Sequence, residues 1–446
     1  MRPILFSTVL LASLRSGCGA SPSTADINDY IGPNPKLEAP SKTLLPTVNV
    51  ADAKGWPAGM MPKAAPGLTV TEFAGGLRHP RWLLTLANGD VLVAESDSPG
   101  TDKTGGAIKG LIQKIIMGQA GSGKNPSANR ITLLRDADGD GIAEQKSALL
   151  DHDLYSPFGM AVIGGELFVA NANALVAFPF TPGQTKIDAK PRIVTELPSG
   201  YNHHWTKSLV ADPQGRFLYV GVGSNSNVGE NGLAMEKGRA AVWQIDPKSG
   251  RYAIFAGGLR NPVGIAFNPA SGALWTVVNE RDELGNDLVP DYLTSVKKGA
   301  FYGWPWSYYG NNVDSRPPAD PGKVAKAIAP DYALGPHVAA LGLTFATGQK
   351  LSPQFASGAF VGEHGSWNRK PASGYEVVFV PFAGAMPAAG AKPVPVLSGF
   401  RVGDVAYGRP VGVQIGKDGS LLVADDVGNK VWRVSAAALP PKVATR

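Results

Sequence analysis

The chain has only six histidines, and two of them are adjacent in Asn202-His203-His204-Trp205, just before an apolar alternating run. A neutral imidazole is the side chain best matched to taking a proton near pH 7, so this pair is a candidate general base. Neighbouring strand residues point to opposite faces, so only one of the two can face a common site. A loop histidine pair with purely local hydrogen bonds is the competing reading. A metal held by both is disfavoured, because adjacent residues rarely converge on one ion.

Arginines recur at comparable places. They stand in Arg78-His79-Pro80-Arg81, in Gly258-Leu259-Arg260-Asn261-Pro262-Val263-Gly264, and in Arg409-Pro410-Val411-Gly412. If these segments meet, their guanidinium forks suit carboxylates or quinone oxygens. Turn chemistry with the arginines on a rim is the alternative. Asn279-Glu280-Arg281-Asp282-Glu283-Leu284-Gly285-Asn286-Asp287 is dense in oxygen ligands of the kind that hard cations such as calcium take, or is a solvated acidic loop. Asp136-Ala137-Asp138-Gly139-Asp140-Gly141-Ile142-Ala143-Glu144 has the spacing of a calcium loop. Ser147 falls where an EF-hand carries its last acidic ligand, and an Asp-Gly hairpin turn explains the same residues.

The elements that must position these residues form a repeat. Six stretches, beginning at His79, Ser156, His204, Asn261, Leu341 and Arg409, each read as two alternating strands joined by a turn. Asn88-Gly89, Gly164-Gly165 and Asp418-Gly419 supply turn residues that tolerate positive φ. A small sheet that cannot bury both faces alone must stack on its copies, and radial stacking makes a β-propeller. The expectation is an all-β, six-bladed propeller over residues 67–446, with function in the loops at one mouth. Without the leading segment about 380 residues remain, roughly 63 per blade against the ~40–50 usual for such repeats, so some loops are long insertions. One of these, centred on Ile108 to Met117, has helical apolar spacing and reads as an inserted helix over the mouth or rim, an oligomer contact being the other view. Leu68 to Leu77 and Val431 to Ala436 both alternate, and their pairing within one blade would close the ring.

Composition bounds the partners. A net charge of +6 without a run of basic and aromatic residues argues against nucleic acid and suits an anionic small ligand. Arg2, the apolar run Ile4 to Leu14 and the small residues that follow read as an export signal over residues 1–20, too short to span a membrane. Cys18, the only cysteine, sits in Ser16-Gly17-Cys18, which resembles a lipoprotein cleavage site with Arg15 where leucine is usual; ordinary cleavage after Ala20 is the alternative. Residues 21–66, rich in Pro, Ala, Ser and Lys, read as a tether or strap. The expected location is therefore periplasmic, with membrane attachment if Cys18 is lipidated.

Together, GLRNPVGIAF, VNERDELGNDLVPDYL, GAFYGWPW, GEHGSWNR and GRPVGVQIGKDGSLLVADDVGN resemble the glucose/sorbosone dehydrogenases, above all the L-sorbosone dehydrogenase branch. The resemblance runs from Leu68 to Val434. It implies a six-bladed propeller carrying pyrroloquinoline quinone (PQQ) and calcium. By motif it implies His204 as the base, with His203 if the register slips by one, and Arg260 and Asn261 at the reactive carbonyl of the cofactor. It implies Arg409 under the cofactor carboxylates, Arg281 at a polar contact, and either His364 or Arg369 as the fifth-blade cationic residue. The backbone carbonyls of Asp282 and Glu283 are the implied calcium ligands. The glutamine expected beside a glucose substrate is not evident near Leu154 to Met160, which counts against glucose.

The reaction so implied is oxidation of a sugar aldehyde or alcohol. His204 takes a proton, hydride goes to the quinone, and calcium and Arg260 stabilise the developing charge. No Cys-x-x-Cys-His haem motif occurs, so electrons pass to an external acceptor, a quinone or a cytochrome. No Gly-x-Gly-x-x-Gly turn joins a strand to a helix, so NAD is not expected. A metal-dependent propeller lactonase and a non-catalytic sugar-binding propeller are the alternatives from other classes.

Overall fold

The computed structural model describes residues 21–41, 47–99, 118–119, 121, 126–200 and 204–437. The expected export signal, the helix over 108–117 and His203 lie outside the described residues.

Six antiparallel sheets follow one another along the chain, five of four strands and the fifth extended to six, each starting with its inner strand at the channel. The two inner strands of each are the hairpins expected from the repeats. They are Pro80–Thr85 with Val91–Glu95, Met160–Ile163 with Glu166–Ala170, and Lys207–Ala211 with Leu218–Val222. Blades four to six use Asn261–Phe267 with Leu274–Asn279, Ala340–Phe345 with Gly358–Glu363, and Pro410–Ile415 with Leu421–Asp425. The turns carry the expected left-handed glycines: Gly89 at φ 102°, Gly165 at 82° and Gly419 at 87°. The ring closes as the alternation predicts, Leu68–Ala74 pairing antiparallel with Lys430–Ala436 so that the first strand of the ring completes the last blade.

Neighbouring inner strands approach too closely for side chains at some positions. A Cβ on Gly342 of blade five would collide with the Val411 carbonyl of blade six. Outside this small-residue hub, apolar side chains fill the wedges between blades. Trp275, Leu293, Phe345 and Phe382 pack between blades four and five; Phe360, Phe379, Val423 and Trp432 pack between blades five and six.

Within 21–66, the described residues 21–41 and 47–66 do not hang free. Gly32 bridges to Ala333 of blade four, Asp52–Ala53 pair with Val405–Ala406, and Lys63–Ala64 add to the edge of blade five at Leu397 and Ser398. Trp56 packs edge-on against Phe400 and Trp432 and donates Nε1–H to Asp425 Oδ2 at 2.7 Å. The segment is a strap over blades four to six.

The strand order sets which loops share a mouth. Every inner strand begins, and every second strand ends, at the same face. Blade-entry residues and the loops between second and third strands therefore surround one end of the channel. His204, Arg260, Arg409 and the 279–287 and 364–371 loops all lie there. The Asp136–Glu144 turn joins the third and fourth strands of blade one and lies at the opposite face. Its four carboxylates bring ligand oxygens within 4.8 Å of one another, but they also accept loop amides, Asp136 from Gly139 and Gly141 and Glu144 from Ala137.

Candidate functional site

His204 stands at the entry to the inner strand of blade three. Its Nδ1 lies 3.0 Å from the Ser224 carbonyl and 2.9 Å from Ser224 Oγ. A carbonyl can only accept, so the ring proton is on Nδ1 and the lone pair is on Nε2, the atom then able to take a proton. Gly223 makes this approach feasible, because a Cβ there would collide with both His204 Cβ and Asn261 Oδ1. Asn261 is thus packed beside the histidine, with its buried Oδ1 lacking a protein donor.

Arg260, 2% exposed, precedes Asn261. Its Nε donates to Asn227 O, Nη1 to the Asn279 and Glu280 carbonyls, and Nη2 to Asn227 Oδ1 and Asp282 Oδ2, at 2.6–3.3 Å. All five donors are therefore spent on protein oxygens. This corrects the expected fork toward a ligand: in this arrangement Arg260 supplies positive field, with the pairing to Asp282 at 2.8 Å holding it in place. Asp282 is further held by Asn368 Nδ2 at 2.8 Å, and His337 Nδ1 lies 3.6 Å away. Burial disfavours a charged His337, but Asp282 and Asp291 outweigh it and raise its pKa.

Three other expected site residues make most of their contacts to the protein. Arg281, 1% exposed, donates to Asp314 and to the Asp282 carbonyl and keeps a buried Nη2 without an acceptor. Arg369 is ion-paired to Asp287 at 2.7 Å and donates to the Pro371 carbonyl, bracing the acidic loop, while its Nε is buried without an acceptor. The Asp282 carbonyl, expected on calcium, accepts from Asn227 Nδ2 at 3.2 Å and also meets the Arg281 guanidinium. Glu283 has its backbone in the left-handed region at φ 69° and pairs its side chain with Arg316 at 2.7 Å.

The remaining mouth is cationic. Arg81, His364, Arg409 and Asp426 come together from blades one, five and six. His364 donates Nε2–H to Asp426 Oδ2 at 2.9 Å, Arg81 donates to the same oxygen, and Arg409 Nη1 lies 3.4 Å from His364 Nδ1. Burial pushes His364 down to about 4 despite Asp426, with Arg409 and Arg81 adding to the effect, so the ring is neutral near pH 7. Burial works against an ionised Asp426, but His364, His79 and Arg81 outweigh it and hold the carboxyl far below its usual range. Arg409 otherwise donates to the Tyr375 hydroxyl at 2.9 Å and lies over that ring, 4.9 Å from its centroid. Arg81 lies 5.8 Å from the ring centroids of Phe158 and Trp205.

Two guanidinium charges thus face one carboxylate, and Arg409 has no ion-paired carboxylate among the described residues. The Nε atoms of both arginines are buried without an acceptor. A buried polar group left unpaired costs about 1–3 kcal/mol, so this mouth is built for an anion with several acceptor oxygens. The donor set fits a polycarboxylate, with His204 and Asn261 at the same mouth.

The comparisons agree with this frame. A family model described as TrAA12-like matches residues 125–295 and 319–437. The chain belongs to the TrAA12-like family. The match includes His204, Arg260, Asp282, His364 and Arg409. A pyrroloquinoline quinone-dependent pyranose dehydrogenase of Coprinopsis cinerea is 24% identical over 84% of this chain and 55% of its own length. The chain spans 64%, 55% and 30% of the lengths of curated relatives that it matches. Among solved structures, the holo form of the pyranose dehydrogenase PQQ domain from Coprinopsis cinerea aligns with TM-score 0.65 and 20% identity, covering 86% of this chain and all of that one. A calcium structure of Trichoderma reesei Carbohydrate-Active Enzymes Family AA12 aligns with TM-score 0.68 and 18% identity, covering 84% and 97%. At such identities the structural likeness establishes the propeller fold.

Sequence reasoning missed Asp426, Ser224, Asn227 and His337. Asp426 and Arg81 are 345 positions apart. Asp425-Asp426 ending the last inner hairpin was the one available signal.

Proposed function

We propose that the protein is a PQQ-dependent quinoprotein that oxidises a sugar aldehyde or sugar alcohol, with a sorbosone-like aldehyde as the specific substrate, and passes the electrons to an external quinone or cytochrome. The observation that carries this reading is the buried Arg81–Arg409 pair, short of anionic partners and at the same mouth as His204, whose ring proton is on Nδ1. The pyranose dehydrogenase among the relatives and the holo PQQ domain among the similar folds support it.

Arg409 and Arg81, with His364 as a neutral neighbour, would hold the carboxylates of PQQ through their unused N–H groups. Calcium, supported by the AA12 calcium structure, would sit at the Asp282–Asp287 loop, with Glu283's carbonyl a candidate ligand. When bound, the quinone supplies the hydride acceptor and the cation supplies Lewis-acid help. His204 accepts the substrate hydroxyl proton at Nε2, Nδ1 remaining on Ser224 throughout. Asn261, wedged beside His204, offers its Oδ1 as an acceptor for a substrate or cofactor donor. Arg260 adds positive field where negative charge develops, without giving up its protein partners.

Among the described residues, the acidic side chains that approach metal-ligating distance lie at the opposite face, in the Asp136–Glu144 turn. Export to the periplasm, with attachment through a lipidated Cys18, completes the proposal.

The test is reconstitution of purified apoprotein with PQQ and calcium, followed by dye reduction with a panel of sugar aldehydes and alcohols. PQQ-dependent turnover with at least one sugar is expected. No turnover across the panel, or full turnover in chelated protein without PQQ, would refute the proposal.

A further inference from the structure

One buried loop grips both halves of the site. Ser224, Asn225, Ser226 and Asn227 follow the second strand of blade three, and none is more than 6% exposed. Ser224 Oγ donates to the Ser226 carbonyl at 2.6 Å, which commits its proton and leaves its lone pairs to receive His204 Nδ1–H. Three residues on, Asn227 Oδ1 accepts from Arg260 Nη2 at 2.9 Å and from the Asp282 amide at 3.0 Å. Its Nδ2 donates to the Asp282 carbonyl, and its own carbonyl accepts from Arg260 Nε and from Trp304 Nε1. The loop itself is braced by Glu236, which accepts from the Asn225 amide at 2.7 Å and from Ser226 Oγ.

We propose that Ser224–Asn227 is a positioning element: Ser224 fixes the tautomer and ring plane of His204, and Asn227 fixes Arg260 against Asp282. A single rigid loop then sets the distance between the proton acceptor and the positive field. The catalytic consequence rests on the proposed function; the tautomer claim does not. Because Ser224 contributes two acceptors to one N–H, removing Oγ takes one of them away and loosens the ring plane.

The test uses the full-length apoprotein labelled with ¹⁵N-histidine. With six histidines in the chain, the His204 signal is assigned by its loss in His204→Gln. At alkaline pH wild type should show a protonated Nδ1 and an unprotonated Nε2. Ser224→Ala should move the two ring shifts toward each other, and in loaded enzyme should lower kcat roughly ten-fold with KM within about two-fold. Asn227→Ala should leave the His204 shifts unchanged while lowering kcat by a similar factor. If Ser224→Ala does not fold, Ser224→Cys, with its weaker acceptor, gives the same readout. A wild-type ring protonated on Nε2, or ring shifts unaffected by replacing Ser224, would overturn the Ser224 half. Unchanged kcat in Asn227→Ala would overturn the other. Wild type lacking PQQ-dependent activity but showing the expected tautomer would sink the proposed function and leave the Ser224 assignment standing.

Discussion

Replacing Arg409 by methionine separates a ligand-binding cation from a structural one. Methionine keeps much of the unbranched length and removes the guanidinium. In the free protein Arg409 has few partners to lose: the Tyr375 hydroxyl also donates to the Ser366 carbonyl at 2.8 Å, and the His364 contact is long at 3.4 Å. A buried cation without a paired carboxylate gives little net stability, and an apolar replacement of similar shape is often neutral or stabilising. The melting temperature of Arg409→Met apoprotein should therefore equal or exceed that of wild type. Ligand binding should behave oppositely. Arg409 retains Nε–H and one hydrogen on each Nη for an anion, and hydrogen bonds to charged groups contribute about 1.5–3 kcal/mol each. Two such bonds amount to roughly 3–6 kcal/mol, a loss of affinity of about 10²–10⁴-fold. Titration of apoprotein with PQQ by calorimetry or fluorescence, in parallel with thermal unfolding, reads both quantities. Unchanged PQQ affinity would refute the assignment of this cluster, and a strongly destabilised apoprotein would show that Arg409 is structural.

His204→Gln should lower kcat by roughly 10²–10⁴-fold, the range for a positioned proton acceptor, while PQQ affinity stays near wild type; near-normal kcat would move the base elsewhere. Glu363 and Glu376 face each other across strands in blade five, and burial raises both pKa values, with their mutual repulsion adding for Glu363 and Glu376 reaching about 7. Folded-state pKa values above the unfolded ones mean stability that is full below about pH 4.5 and is lost as pH rises through about 7. Glu376→Gln should flatten this decline and raise the melting temperature at pH 8 by roughly 2–4 °C, and an unchanged pH profile would count against it. Mass spectrometry of protein from an exporting host should find the N-terminus at a lipidated Cys18 or after Ala20; an intact Met1 end would exclude export.

The propeller was legible because its signals are local. Period-two alternation, Asn-Gly and Gly-Gly turns, and the complementary strands Leu68–Ala74 and Lys430–Ala436 are all readable within ten residues or so. The same locality placed His204, Arg260 and Arg409 at corresponding blade entries, hence at one mouth. Which donors remain unspent was not legible. Arg260 and Arg409 open their repeats in the same way, yet one has every N–H on protein oxygens and the other holds a buried Nε without an acceptor. That difference depends on Asn227 and Asp282 reaching Arg260 from neighbouring loops, and on Arg81 claiming Asp426 from across the closed ring. Hydrogen-bond accounting needs all partners in place at once, and side chains hundreds of positions apart meet only when the blades stack. Alternation and turn residues along the chain determined the ring; the packing of its loops decided which charges were left for a ligand.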